Sequence, residues 1–194
     1  MSDASAAKAL PTVVQARLTR FGLFSIQDAV TAAVLFVSLA SLFALTRSRW
    51  LDDFDSVNFA LALDDFDVTQ HQPHPPGYPI YVAAGKLLHL VIGDHAAALT
   101  LVSSLAGGAV AAMFYILARR QLNWPLALGA TVIMALSPLF WLQSGLALTD
   151  MFGMISVLAF LLVEGASPQT QQGDLVRRSV SGLIAGLFSA RGRI

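Results

Sequence analysis

Cysteine is missing from this chain altogether. That absence excludes disulfides, thiolate metal sites and a cysteine nucleophile together, so any metal would need Asp, His or Glu. Charge is nearly as scarce, with only 12% of the 194 residues being Asp, Glu, Lys or Arg, against roughly a quarter in an average soluble domain. The two signs cancel to a net charge of zero. No Lys/Arg-rich run stands beside stacking aromatics, which sets nucleic acid aside as a partner. Internal repeats and low-complexity tracts are also lacking.

What the chain has in abundance is apolar surface. Hydrophobic residues make up 56% of it and the mean hydropathy is +0.66. These residues fall in long uncharged blocks instead of the periodic stripes of an amphipathic globular fold, so lipid is the natural solvent. The expectation is an all-α, polytopic membrane helical bundle. The run Ala29–Thr46 follows a segment containing Lys8, Arg17 and Arg20. It exceeds the apolar core of a cleaved signal peptide, favouring an uncleaved anchor. Further blocks cover Ala96–Ala118, Pro125–Leu142 and Leu148–Val163. A crossing takes about 20 helical residues, and the reading expects about four complete transmembrane helices. The last apolar stretch, Ser179–Ala190, is too short to span, so the chain is expected to stop inside an incomplete fifth helix.

Topology follows from charge. Tyr78–Gly93 is apolar but short, and carries Lys86 and His89. If it lies along the interface or on the bundle, Arg119-Arg120 and Arg177-Arg178 fall on the same side as the basic N-terminus, as the positive-inside rule requires. The expected organisation is a cytoplasmic segment over 1–28, a membrane domain over 29–190 with an outer loop at 47–95, and a tail at 191–194. The expected location is the bacterial inner membrane, with the lipid bilayer as partner. Ser103, Ser104, Gly107, Gly108 and Ala111 would allow close helix packing in the second crossing.

Polar chemistry concentrates in the loop. Asp52, Asp53, Asp55, Asp64, Asp65 and Asp67 are half of the chain's 12 acidic residues, and all 4 histidines, His71, His74, His89 and His95, follow them. A helix from about Asp53 to Asp65 would put Phe59, Leu63 and Phe66 on one side, and Asp55 and Asn58 on another. The prolines of HQPHPPGYP, residues 71–79, are expected to hold an extended, polyproline-like course. That course would fix His74 relative to Asp55. Each residue also has an ordinary explanation. Most of the acids read as a solvated face, His74 as a backbone partner, His89 and His95 as interface residues, and Arg47 and Arg49 as snorkelling anchors. Spacing identifies no metal motif. Asp150 stands at the head of an apolar helix, where a carboxylate is rare unless it faces a cavity or caps the helix.

DSVNFALAL followed by PHPPGYPIYVAAGKLLHLVIGD resembles the first outer loop of membrane glycosyltransferases of the GT-C fold, of the protein O-mannosyltransferase-like kind. The later ARRQLNWPLALGATVIMALSPLFWLQSGLALTDMFG follows the same order. The similarity covers roughly residues 25–165. It implies transfer of a sugar from a polyprenyl-phosphate donor to an undefined acceptor, with Asp55 as general base and Asp150 near the pocket. Asp53 and His74 join Asp55 as candidate catalytic groups. Asn58, Tyr78 and Arg49 join Asp150 as candidate substrate contacts. Many relatives carry a second acid close behind the first, where this chain has Ser56 and Asn58; a divalent metal cofactor therefore stays open and no other cofactor is implied. Relatives also continue into further helices that hold much of the donor site, so these residues by themselves are expected to show no robust turnover. The alternatives are a non-catalytic transport or assembly protein, or an inactive truncated product. Transporters place ionisable groups near the bilayer midplane, whereas these collect toward one surface.

Overall fold

The computed structural model describes residues 25–164. The expected fifth helix at Ser179–Ala190, nearly all of segment 1–28 and the tail at 191–194 lie outside the described residues. Among the described residues there are seven α-helices and one short 3-10 turn, with no strand. They are α1 (Ile26–Thr46), α2 (Phe54–Asp64), the 3-10 turn (Val68–Gln70), α3 (Pro79–Ile92), α4 (His95–Arg119), α5 (Trp124–Ala135), α6 (Pro138–Gly145) and α7 (Asp150–Glu164). The chain divides into a compact unit through Leu158 and a second unit from Ala159.

Local chemistry sets these boundaries. Ser25 and Asp28 form a capping box, Ser25 Oγ accepting from the Asp28 amide at 3.1 Å while Asp28 Oδ2 accepts from the Ser25 amide at 3.3 Å. This starts α1 three residues before the uncharged run. Asp94 caps α4, accepting from the Ala97 amide at 2.7 Å. Gly93 ends α3 in the left-handed region at φ 75°, where a side chain would be strained.

Among the described residues, only α1 and α4 are individually long and apolar enough to cross a membrane. The expected third crossing, Pro125–Leu142, is not one straight helix. It breaks at Leu136-Ser137 into α5 and α6, bent by 64°, because Pro138 cannot donate to the preceding turn and opens a new helix instead. The halves nevertheless cover the height of α1 together. Trp124 Nε1 donates to Thr31 Oγ1 near the start of α1 at 3.1 Å, and Ser48 N, just past its end, donates to Gly145 O at 3.0 Å. Thr31 to Ser48 is roughly 25 Å of helical rise, against a hydrocarbon core of about 30 Å. Counting the bent pair as one span gives three. The shorter α3, at 14 residues, falls below the roughly 20 that a straight crossing needs, and α7 is described over 15 residues. Of the four complete spans expected, the described residues show two, or three with the bent pair. The chain is a multi-pass membrane protein on these two to three spans.

Helix α4 is the hub, packing against α1, α2, α3, α5 and α6. Its adjacent glycines serve different neighbours. A Cβ on Gly108 would stand 2.7 Å from Ala40 Cβ and 2.9 Å from the Phe36 carbonyl oxygen of α1, while one on Gly107 would strike Ser144 of α6. Small residues let the backbones approach, and the hydroxyls beside them bridge helices: Ser104 Oγ donates to Ser144 O at 3.1 Å. At the far end of the bundle, Arg119 Nε donates to Asp28 Oδ1 at 2.6 Å and Tyr115 to the same oxygen at 2.9 Å. Asp28 is only 4% exposed, so this carboxylate joins α1 to α4 and is not a solvated terminus.

Candidate functional site

The loop from Arg47 to Asp94 folds onto the end of the bundle opposite Asp28. Helix α2 follows Asp53, whose Oδ1 accepts from the Asp55 amide at 3.0 Å. Asp53 is therefore the N-cap, an ordinary structural use of its carboxylate. Asp55 sits in the first turn, where the helix dipole favours a negative charge. Ser56 Oγ, fully buried beside it, donates to Ala147 O at 3.2 Å, tying α2 to the α6–α7 link. Asn58, one turn on, is buried, and its Nδ2 has no hydrogen-bond partner among the described residues. Buried donors of this kind are rare enough to require a ligand, water or strain as explanation.

The proline-rich segment is not extended. Asp67 and Gln72 exchange backbone hydrogen bonds at 2.7 and 2.9 Å, and Gly77 N donates to His74 O at 3.0 Å, so 67–77 forms consecutive tight turns. Two of its X-Pro bonds, Gln72–Pro73 and Pro75–Pro76, are cis. Gly77, at φ 93°, holds a backbone that would strain a side chain, and a Cβ there would crowd Val68 Cγ2 at 3.0 Å. The Asp67 carboxylate accepts from the Thr69 hydroxyl at 2.6 Å and the Thr69 amide at 2.8 Å. These bonds hold its pKa below the usual carboxylate value and make Asp67 a loop clamp.

These turns bring His74 to Asp55, with Nδ1 3.3 Å from Oδ1. That distance suits an ion pair, though the ring nitrogen is not aligned for a hydrogen bond. The imidazole packs between Phe59, at 5.6 Å between ring centroids, and Tyr78, at 5.2 Å. Tyr78 itself holds a left-handed backbone, φ 44°, which costs a non-glycine residue on the order of 1 kcal/mol. The aromatic chain continues from Phe59 to Tyr81 at 5.0 Å and from Tyr81 to Phe152 of α7 at 5.4 Å. Burial raises the pKa of the Tyr81 phenol well above its ordinary value, with the nearby Asp150 charge adding to the effect. Its hydroxyl stays protonated, donating to Leu99 O at 3.3 Å with Ser103 Oγ 3.2 Å away.

Between the start of α3 and α7 lies a groove of about 630 Å³. Tyr78, Tyr81 and Asp150 line one part of it, and Phe152, Val157 and Leu158 continue it along α7. Asp150 is exposed and opens α7. It is the Thr149 carbonyl, not the Asp150 side chain, that receives the first amides of the helix, from Phe152 and Gly153.

Of the candidate residues, His74 and Tyr78 therefore gather around Phe59, Asp55 joins them through His74, and Asp150 through the Tyr78–Tyr81 groove; Asn58 lies buried on the same helix as Asp55. Arg49 does not. It lines a separate cleft of about 420 Å³ with Arg47, Ser48 and Asp94, and Arg47 is spent on the Ala44 carbonyl at 2.6 Å. The sequence reading missed Phe59, Tyr81 and Phe152 as the wall joining the two acidic groups. Their spacing resembles ordinary core. The chain matches no family model, no curated protein and no solved structure.

Proposed function

We propose that the chain forms the acceptor-side wall of a glycosyltransferase that uses a polyprenyl-phosphate sugar. The observation that carries this reading is the Asp55–His74 pair, held 3.3 Å apart and joined through the Tyr78 ring to an apolar groove that has a carboxylate at its polar end. Such a groove suits a ligand with a long hydrocarbon tail and a polar head at the membrane surface.

In this reading the first isoprene units lie along Ile80, Phe152 and Val157, and the sugar ring sits near Tyr78 and Asp150, whose carboxylate can accept from its hydroxyls. Asp55 takes the proton of the acceptor hydroxyl. The acceptor oxygen then bonds to the sugar's anomeric carbon, and the bond from that carbon to the phosphate oxygen breaks with its electrons leaving on phosphate. His74 stands beside the Asp55 carboxylate as its neighbour in the pocket wall, while Asn58 Nδ2 supplies a buried donor to the sugar or acceptor. The similarity to GT-C enzymes described above supports the same assignment. The positive-inside rule, applied to Arg119 and Arg120, directs the loop to the non-cytoplasmic face.

Asp55→Asn tests the assignment because it keeps shape and removes the base. Where transfer is measured in membranes carrying the active enzyme, the variant should lose about 100-fold or more while inserting normally. Near-wild-type transfer would remove Asp55 from this role.

A further inference from the structure

Away from the Asp55 groove, three ligating side chains from three helices converge. Asp64 is the last residue of α2, His89 stands in the last turn of α3, and His95 is the first residue of α4. One ligand atom from each lies within 4.8 Å of the others. We propose that Asp64, His89 and His95 form a binding site for a transition-metal dication of the Zn²⁺ class, clipping the end of α2 to the α3–α4 hairpin. This inference does not depend on sugar transfer.

The geometry is close to what coordination requires. Donors about 2.0–2.1 Å from a tetrahedral metal stand roughly 3.3–3.4 Å from one another. His95 Nε2 already lies 3.1 Å from both Asp64 oxygens. The His89 and His95 rings stack, 4.1 Å apart between centroids and inclined by only 31°, which leaves one nitrogen of each within reach of the Asp64 carboxylate. Their separation is fixed by the tight link between α3 and α4: Gly93 N closes on His89 O at 2.8 Å, and Asp94 caps the next helix. His89 Nδ1 is shielded from solvent and has no hydrogen-bond partner among the described residues.

The donor set selects the metal. Two imidazoles and one carboxylate suit Zn²⁺, Co²⁺ or Ni²⁺, whereas Mg²⁺ and Ca²⁺ prefer all-oxygen shells. Three protein ligands leave a fourth position to water. The neighbouring Asp94 carboxylate is committed to the Ala97 amide. Metal binding would fix the end of α2 against the α3–α4 hairpin, and α2 carries Asp55 in its first turn.

Co²⁺ reports on such a site through its visible absorption. The full chain, purified without a polyhistidine tag and held in nanodiscs, should take up one Co²⁺ with a tetrahedral-type band that Zn²⁺ displaces. His89→Ala and His95→Ala should each weaken binding by more than about 10-fold, the least expected when a ligand is disturbed, while His71→Ala leaves it unchanged. Asp64→Asn preserves shape at an exposed position and guards against loss through misfolding; it too should weaken Co²⁺ and abolish any rise in Tm produced by Zn²⁺. Absence of the band in the wild-type chain, or equal affinity in the His89, His95 and Asp64 variants, would overturn the assignment.

Discussion

His74 shows how one side chain is placed by several unrelated constraints. Turns closed by Asp67, Gln72 and Gly77 carry it back over α2, and the rings of Phe59 and Tyr78 enclose its imidazole. Its nitrogen then meets Asp55 without competing for a backbone carbonyl. His74→Phe should keep the aromatic packing and lose only the ring nitrogen. It is expected to lower transfer by about 10-fold or more with little change in thermal stability. A large loss of stability instead would make His74 a packing residue. Asp53 has a structural use: a carboxylate adjacent to the proposed base caps the helix that carries that base.

At the scale of helices, the bundle depends on how closely α1 approaches α4. Gly108 meets Ala40 and the Phe36 carbonyl with no space for a methyl group. Gly108→Leu should force the helices apart and destabilise the bundle by about 1–3 kcal/mol or more, read as a lower unfolding temperature in detergent. An unchanged temperature would mean that the helices are not packed this way. The close packing was legible in the small-residue run from Ser103 to Ala111, as were α1, α2, α4 and the non-spanning α3. What was not legible is the break at Leu136-Ser137. Hydropathy is continuous through Pro125–Leu142, and a single proline is compatible with either a kink or a new helix. The course of residues 71–79 was also misread, because proline fixes its own φ but leaves the direction of the chain to contacts such as Asp67–Gln72. Asp55, His74 and Asp150 were recognisable by residue type. The rings connecting them were not, since an aromatic in a core and one in a pocket wall have the same spacing.

Across the whole molecule, polar groups separate to the two ends. Asp28, Tyr115 and Arg119 lock one end, and Asp55, His74 and Asp150 gather at the other. A crossing by α1, which separates them in the chain, would put them on opposite faces of the bilayer. Single cysteines, easily introduced where none exists, give the orientation directly. A cysteine at Thr69 should react with an impermeant thiol reagent from the non-cytoplasmic side, and one at Leu122 only after the membrane is opened. The reverse pattern would invert the proposed topology.

The claim that the groove holds a lipid-linked sugar is tested most directly by crosslinking. A polyprenyl-phosphate sugar with a photoactivatable group in its first isoprene units, presented to the chain in nanodiscs, should label saturably at Ile80 and along Phe152–Leu158. The label should be competed by unmodified donor and not by bulk phospholipid. Non-saturable labelling, or labelling confined to the lipid-facing side of α1, would contradict the account.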